Sequence, residues 1–147
     1  MTEKDKDDLF YVCSLIEFIG RKTNNSRSIV VQKLGEEGIQ KQLYDAQVNH
    51  CLTFDQVADE IIEHYQIGKG NFDTISNCKY AIPNVTSIGK LYCKLICQCA
   101  EPNKEIIELM KVFQSFISDE ISDYKTGVYY QNPSYLKCSY EQGYLLD

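Results

Sequence analysis

Hydrophobic positions recur at helical spacing through most of this chain. Between residues 5 and 22, Leu9, Val12, Cys13, Ile16 and Ile19 form a stripe that Phe10, Leu15 and Phe18 widen, which predicts an amphipathic helix. Its acidic start and its Arg21-Lys22 end both suit the helix dipole. Thr23-Asn24-Asn25-Ser26 breaks that helix and offers a cap for a second, short one running to Leu34. Gly35 and Gly38 punctuate the chain before a third segment, about residues 37–50, which turns Ile39, Leu43, Ala46 and Val48 inward. Thr53-Phe54-Asp55-Gln56 matches a capping box, because a threonine hydroxyl satisfies an early helix N–H while glutamine reaches back. Val57, Ala58, Ile61, Ile62 and Tyr65 then share one apolar face.

The pattern lapses where Gly68-Lys69-Gly70-Asn71 and Ile82-Pro83-Asn84 read as loop. Thr86 is placed to cap a helix carrying Ile88, Leu91, Tyr92, Leu95, Ile96 and Cys99. After the short turn Glu101-Pro102-Asn103, which carries its own cap, an apolar side runs from Ile106 through Phe113 and Ile117 to Tyr124 as one five-turn helix. So short a turn makes the two helices an antiparallel hairpin. Pro133 and Gly143 bracket a last short helix in a tyrosine-rich tail. The expected fold is all-α, with six to seven helices and no strand. Residues 1–67 form an N-terminal helical module, 68–85 a loop, and 86–147 a helical hairpin whose tail wraps back to make one compact domain.

Composition narrows the function classes more than it names one. At 147 residues, 44% hydrophobic and 24% charged, the chain is long enough to bury a core of ordinary size without staples. A net charge of −6 argues against nucleic acid, whose binding depends on Lys and Arg displacing counterions, and against an anionic membrane surface. No apolar run approaches the length of a bilayer span and the charged N-terminus is no secretory signal, so a cytoplasmic location is expected. The seven cysteines are irregularly spaced, which suits reduced, partly buried thiols.

Candidate chemistry is sparse. Adjacent His50 and Cys51 could supply a base and a nucleophile, but neighbours in sequence tend to point apart and no third group orients them. Cys93 and Cys97 are one helical turn apart, yet Cys99 points elsewhere and no second knuckle completes a zinc site. Asp119, Glu120 and Asp123 read as a solvated face. The loop at residues 68–71 lacks the spacing of a phosphate loop. No catalytic residue, cofactor or metal is assigned. Six of the eleven tyrosines follow residue 123, and tyrosine combines a large apolar ring with a polar tip. Tyr129, Tyr130, Tyr135, Tyr140 and Tyr144 are therefore the candidate interaction surface, alongside a role in wrapping the core.

Residues 8 to 67 also resemble an uncharacterised bacterial family of small helical domains. The shared pattern is Phe10 with Cys13-Ser14-Leu15-Ile16-Glu17, then Val31-x-x-Leu34-Gly35, Tyr44, His50 and Val57-Ala58-Asp59-Glu60-Ile61-Ile62. Where the family carries Leu-His-Thr this chain has Asn49-His50-Cys51. Members lie beside toxin-like genes, which implies a partner-neutralising role. The expectation is a non-enzymatic, antitoxin-like or regulatory protein with a protein partner. A homodimer through the long helix is a further expectation. The alternatives are a ligand-binding or enzymatic cleft between the two modules, with His50, Cys51 and a tail tyrosine converging, and a DNA-binding regulator reading bases with Gln40, Lys41, Gln42 and Gln47.

Overall fold

The computed structural model describes residues 1–147 and is all-helical. Its helices are α1 (Glu3–Thr23), α2 (Arg27–Asn49), α3 (Phe54–His64), α4 (Val85–Cys99), α5 (Glu105–Gln114), α6 (Phe116–Ile121) and α7 (Pro133–Gln142). A 3-10 turn, Val128–Tyr130, precedes α7. No helix is long and apolar enough to cross a membrane.

The widened stripe read in α1 has its consequence here: the helix is buried on nearly every side and forms the axis of the molecule. It begins at Thr2, whose side chain and that of Asp5 complete a reciprocal capping box. It stops at Asn24 in the left-handed conformation. Against it, α2 runs antiparallel, with Arg27 beside Gly20 and Gln47 beside Asp8. On another side α4 also runs antiparallel, Gly89 facing Ser14 and the Cys93 thiol donating to the Lys6 carbonyl. A single hydrophobic core of 28 buried residues draws on α1 to α7 together.

Several boundaries differ from the sequence reading. The break expected at Gly35 is present: α2 is two helical segments that meet there, where the backbone leaves the helix (φ 67°, ψ 178°). Only glycine adopts that left-handed φ without strain, so helix resumes on the far side of a single irregular residue. Val48, expected inward, is 73% exposed, because the kink and the neighbouring Ala46 commit the other face to α1. Asn84, not Thr86, caps α4: its Oδ1 accepts from the Ser87 amide at 2.8 Å, and the Thr86 hydroxyl donates to the same oxygen at 3.1 Å. The turn before α5 supplies no side-chain cap, since Lys104 holds that position.

The five-turn helix expected over residues 106–124 is broken at Ser115. There the backbone is extended (φ −88°, ψ 168°). The Ser115 hydroxyl donates to the Val112 carbonyl and accepts from the Ile117 amide, so it ends α5 and starts α6. Leu109, Phe113, Ile117 and Ile121 keep their apolar register across the break and are all spent on the chain's own core.

Between α3 and α4 the chain has no regular structure but is pinned throughout. The Gly70 and Phe72 amides donate to the Thr23 and Asn24 carbonyls, and Asn25 donates to the Gly68 carbonyl at 2.7 Å. Further on, the Thr74 hydroxyl donates to the Ser122 carbonyl and the Cys78 thiol to that of Tyr124. Asp73 is held at about 2 by the Ser76 side chain and the Ser76 and Ile75 amides. The Gly70 amide is therefore occupied by the fold rather than turned toward an anion.

Candidate functional site

The most concentrated polar chemistry lies in the core. Glu17, on α1, is 0% exposed and accepts five hydrogen bonds. Arg27 grips it side-on, Nε to Oε1 and Nη2 to Oε2, both at 2.8 Å. Arg21 Nε reaches Oε2 at 2.6 Å, Ser122 Oγ reaches Oε1 at 3.0 Å, and the Tyr124 hydroxyl donates to Oε2. The Tyr92 hydroxyl extends the network between the Ser118 carbonyl and Ser122 Oγ. Arg27 reaches Glu17 by lying flat across Gly20, where any β-carbon would stand 2.5 Å from its Cδ.

Two guanidinium groups and one carboxylate leave a positive excess at this centre, which disperses into dipoles and rings. Arg27 donates to the Asn25 carbonyl and lies over Phe72. Arg21 donates to the Pro83 carbonyl and lies over Tyr124. Every buried polar side-chain atom in the molecule has a partner, so this cluster is closed. What it can do is hold α1, α2, the 65–84 segment and the region after α6 in one arrangement.

Its electrostatics make a pH prediction. Burial alone raises the Glu17 carboxyl, but the Arg27 guanidinium, then Arg21 and the Tyr124 hydroxyl, bring it below its ordinary value of 4.5. A group whose folded value is depressed stabilises the fold fully above its unfolded value, and that stability drains as pH falls through the folded one. The urea midpoint is therefore expected to fall as pH drops below 4.5, with a shallower slope in Glu17→Gln. Equal slopes in the two proteins would refute the assignment.

The residues singled out from sequence are dispersed. His50 stands exposed at the end of α2, its ring 6.1 Å from that of Tyr11. Cys51 is exposed in the following turn, and neither side chain bonds to the other or to a tail tyrosine. All seven thiols are free. Burial pushes Cys13 well up, and burial with Cys97 alongside takes Cys93 up to about 12. No three His, Cys, Asp or Glu side chains converge as a metal would need.

The tail tyrosines divide between core and surface. Tyr124 is buried on Glu17, and Tyr129 packs edge-on against it. The Tyr135 hydroxyl donates to the Leu146 carbonyl and that of Tyr140 to Glu108, both rings half-buried. Tyr130 is 81% exposed and Tyr144 is also outward. Tyr129, Tyr130, Pro83 and Leu91 line a groove of about 520 Å³ beside Lys90 and Lys94.

A second surface carries no mark in the helical stripes of the sequence. On the outer face of α2, Tyr44 is 87% exposed and Val48, one turn on, is 73% exposed. Leu52, in the turn past the helix end, is 44% exposed. Two grooves lie where α2 meets α1. One, about 480 Å³, is lined by Tyr44 with Met1, Leu9, Leu43 and Ile106. The other, about 580 Å³, is lined by Leu52 with Phe10, Tyr11, His50 and Phe54. Phe54 stacks between Tyr11 and Phe18, each at 5.6 Å, so that wall is rigid. Gln47 donates to Asp8 at 2.6 Å, and Asp8 lines both grooves. The one available signal is the spacing of Tyr44 and Val48, one turn apart on the side opposite Ala46.

Comparison with protein-family models, with curated proteins and with solved structures gives no match.

Proposed function

We propose that the protein is a protein-binding domain that acts through a partner rather than through chemistry of its own. The observation that carries this reading is the outer face of α2, where Tyr44 and Val48 stand in solvent on a helix whose other side is locked into the core. Tyrosine is enriched at protein interfaces, where a large ring and a polar tip are covered together. The family resemblance of residues 8 to 67 makes a toxin-like protein the first class of partner to test.

The tagged full chain, expressed at its native level, is expected to elute with one protein in a fixed molar ratio. That complex should re-form from separately purified components. A chain that elutes alone, or with several proteins in variable trace amounts, would overturn the reading.

A further inference from the structure

Gln42, Asp45 and Asn49 share one side of α2 at helical spacing, and Val57, Glu60 and Ile61 share one side of α3. The two helices both pack on α1 but scarcely touch each other. A cleft of about 550 Å³ opens between them, lined by these six side chains. Val57 and Ile61 are its buried apolar part. Tyr65, just past α3, also lines the cleft and rests its ring on α2 at Gly38, where a β-carbon would stand 3.3 Å from it.

The fold leaves one side chain in this cleft unused. Asn25, a buried amide elsewhere in the molecule, donates to both Thr23 and the Gly68 carbonyl. Gln42 is 4% exposed and makes no hydrogen bond within the chain. Its amide nitrogen and oxygen are not sealed in, and the cleft is where they open. A nearly buried amide without a partner costs the fold free energy, which a bound group recovers by supplying the partner.

Charge narrows the class of that group. Lys41 and Asp45 neutralise each other at 2.7 Å, which leaves Glu60 and Glu63 on the α3 wall without an ion pair. The other lysine that reaches α3, Lys22, is spent on Asp55 and Asp59. We infer that the cleft between α2 and α3 binds a guanidinium group. Guanidinium carries its donors along the edges of one plane, which allows one edge to bond the Gln42 carbonyl oxygen and another to meet Glu60 from the opposite helix. It is more weakly hydrated than ammonium and stacks on aromatic rings, which suits an apolar cleft with Tyr65 in its wall. The group belongs to a free alkylguanidine or to an arginine side chain on a partner, which share this chemistry. The site does not depend on the outer face of α2 that carries the protein-binding reading.

The test titrates the full isotope-labelled chain with butylguanidinium, with butylammonium and with a capped glycine–arginine–glycine tripeptide, following the NMR shifts of the backbone amides of α2 and α3. Saturable shifts are expected with butylguanidinium, at an affinity at least about tenfold above that of butylammonium. Gln42→Leu should weaken binding at least about tenfold and raise the melting temperature, since an apolar side chain replaces an amide that the fold leaves unpaired. A glutamine with a merely structural role would lower that temperature when replaced. Glu60→Gln, at an exposed position, should weaken binding and flatten its salt dependence. Tighter binding of the tripeptide than of butylguanidinium assigns the group to a partner's arginine, and the reverse order assigns it to a free alkylguanidine; both support the site. Absence of saturable shifts, equal affinity for butylammonium, undiminished binding in Gln42→Leu, or a lowered melting temperature in that variant each overturns the inference. None of these outcomes turns on whether a protein elutes with the tagged chain, so the two readings fail separately.

Discussion

Glu17→Ala is expected to cost the fold about 3–5 kcal/mol, the usual consequence of removing one partner from a buried ion pair. The reason is what remains. Arg27 is 1% exposed and its guanidinium lies across Gly20. Arg21, Ser122 and Tyr124 lose the same acceptor at once. Replacing the pair together, Glu17→Leu with Arg27→Met, is expected to be far milder than the sum of the single changes, since no unpaired Arg27 charge is then left behind. Urea unfolding monitored by circular dichroism measures both. A loss below about 1 kcal/mol for Glu17→Ala would mean that water reaches Arg27 and that the cluster is not closed.

The second large effect is expected at the crossing of α1 and α4. Alanine in place of glycine within a helix normally stabilises it by up to about 1 kcal/mol. At Gly89 the sign reverses. A β-carbon there would stand 1.9 Å from Ser14 Oγ and 2.7 Å from Ser14 Cα. The hydroxyl is able to rotate away, but the α-carbon belongs to the backbone of the most buried helix in the molecule, so α4 must shift off α1. Gly89→Ala is expected to destabilise by about 1–3 kcal/mol, the range for overpacking a core. Ser14→Ala in the same chain should recover only part of the loss, because the clash with the backbone of residue 14 persists. A neutral or stabilising Gly89→Ala, read as an unchanged or raised melting temperature, would show that the two helices do not touch at this point.

Much of the architecture is legible in local pattern because it is decided locally. The capping box at Thr53 forms as its four residues predict, with both reciprocal bonds present. The stop at Gly143 falls in the left-handed conformation that glycine permits. Ser115 is not legible: apolar residues keep their register on both sides of it, and a hydroxyl that turns back to bond the Val112 carbonyl leaves no mark in hydrophobic periodicity. The charged core escapes for a different reason. Glu17 sits in a segment whose apolar positions run nearly all round the helix, and a helix of that kind is buried. A carboxylate at its centre therefore requires a cation, and the question to ask of the sequence is which arginine can reach it. On α2, Val48 lies two residues from Ala46 and so on the opposite side of the helix, which leaves it exposed where Ile39 and Ala46 turn inward.

The placement of Glu17 also governs how the chain is made. Its partners Ser122 and Tyr124 lie 105 and 107 residues further along. A ribosome delivers the N-terminal end first, so α1 and α2 emerge and meet while the hydroxyls that complete the cluster are not yet synthesised. Through most of translation Glu17 and its two arginines remain incompletely enclosed, and α4 cannot settle over them for good. The last step of folding therefore waits for the residues after α6 to leave the exit tunnel. A stalled or prematurely ended chain would carry an open charged core, a state that cellular proteases are well suited to recognise and remove.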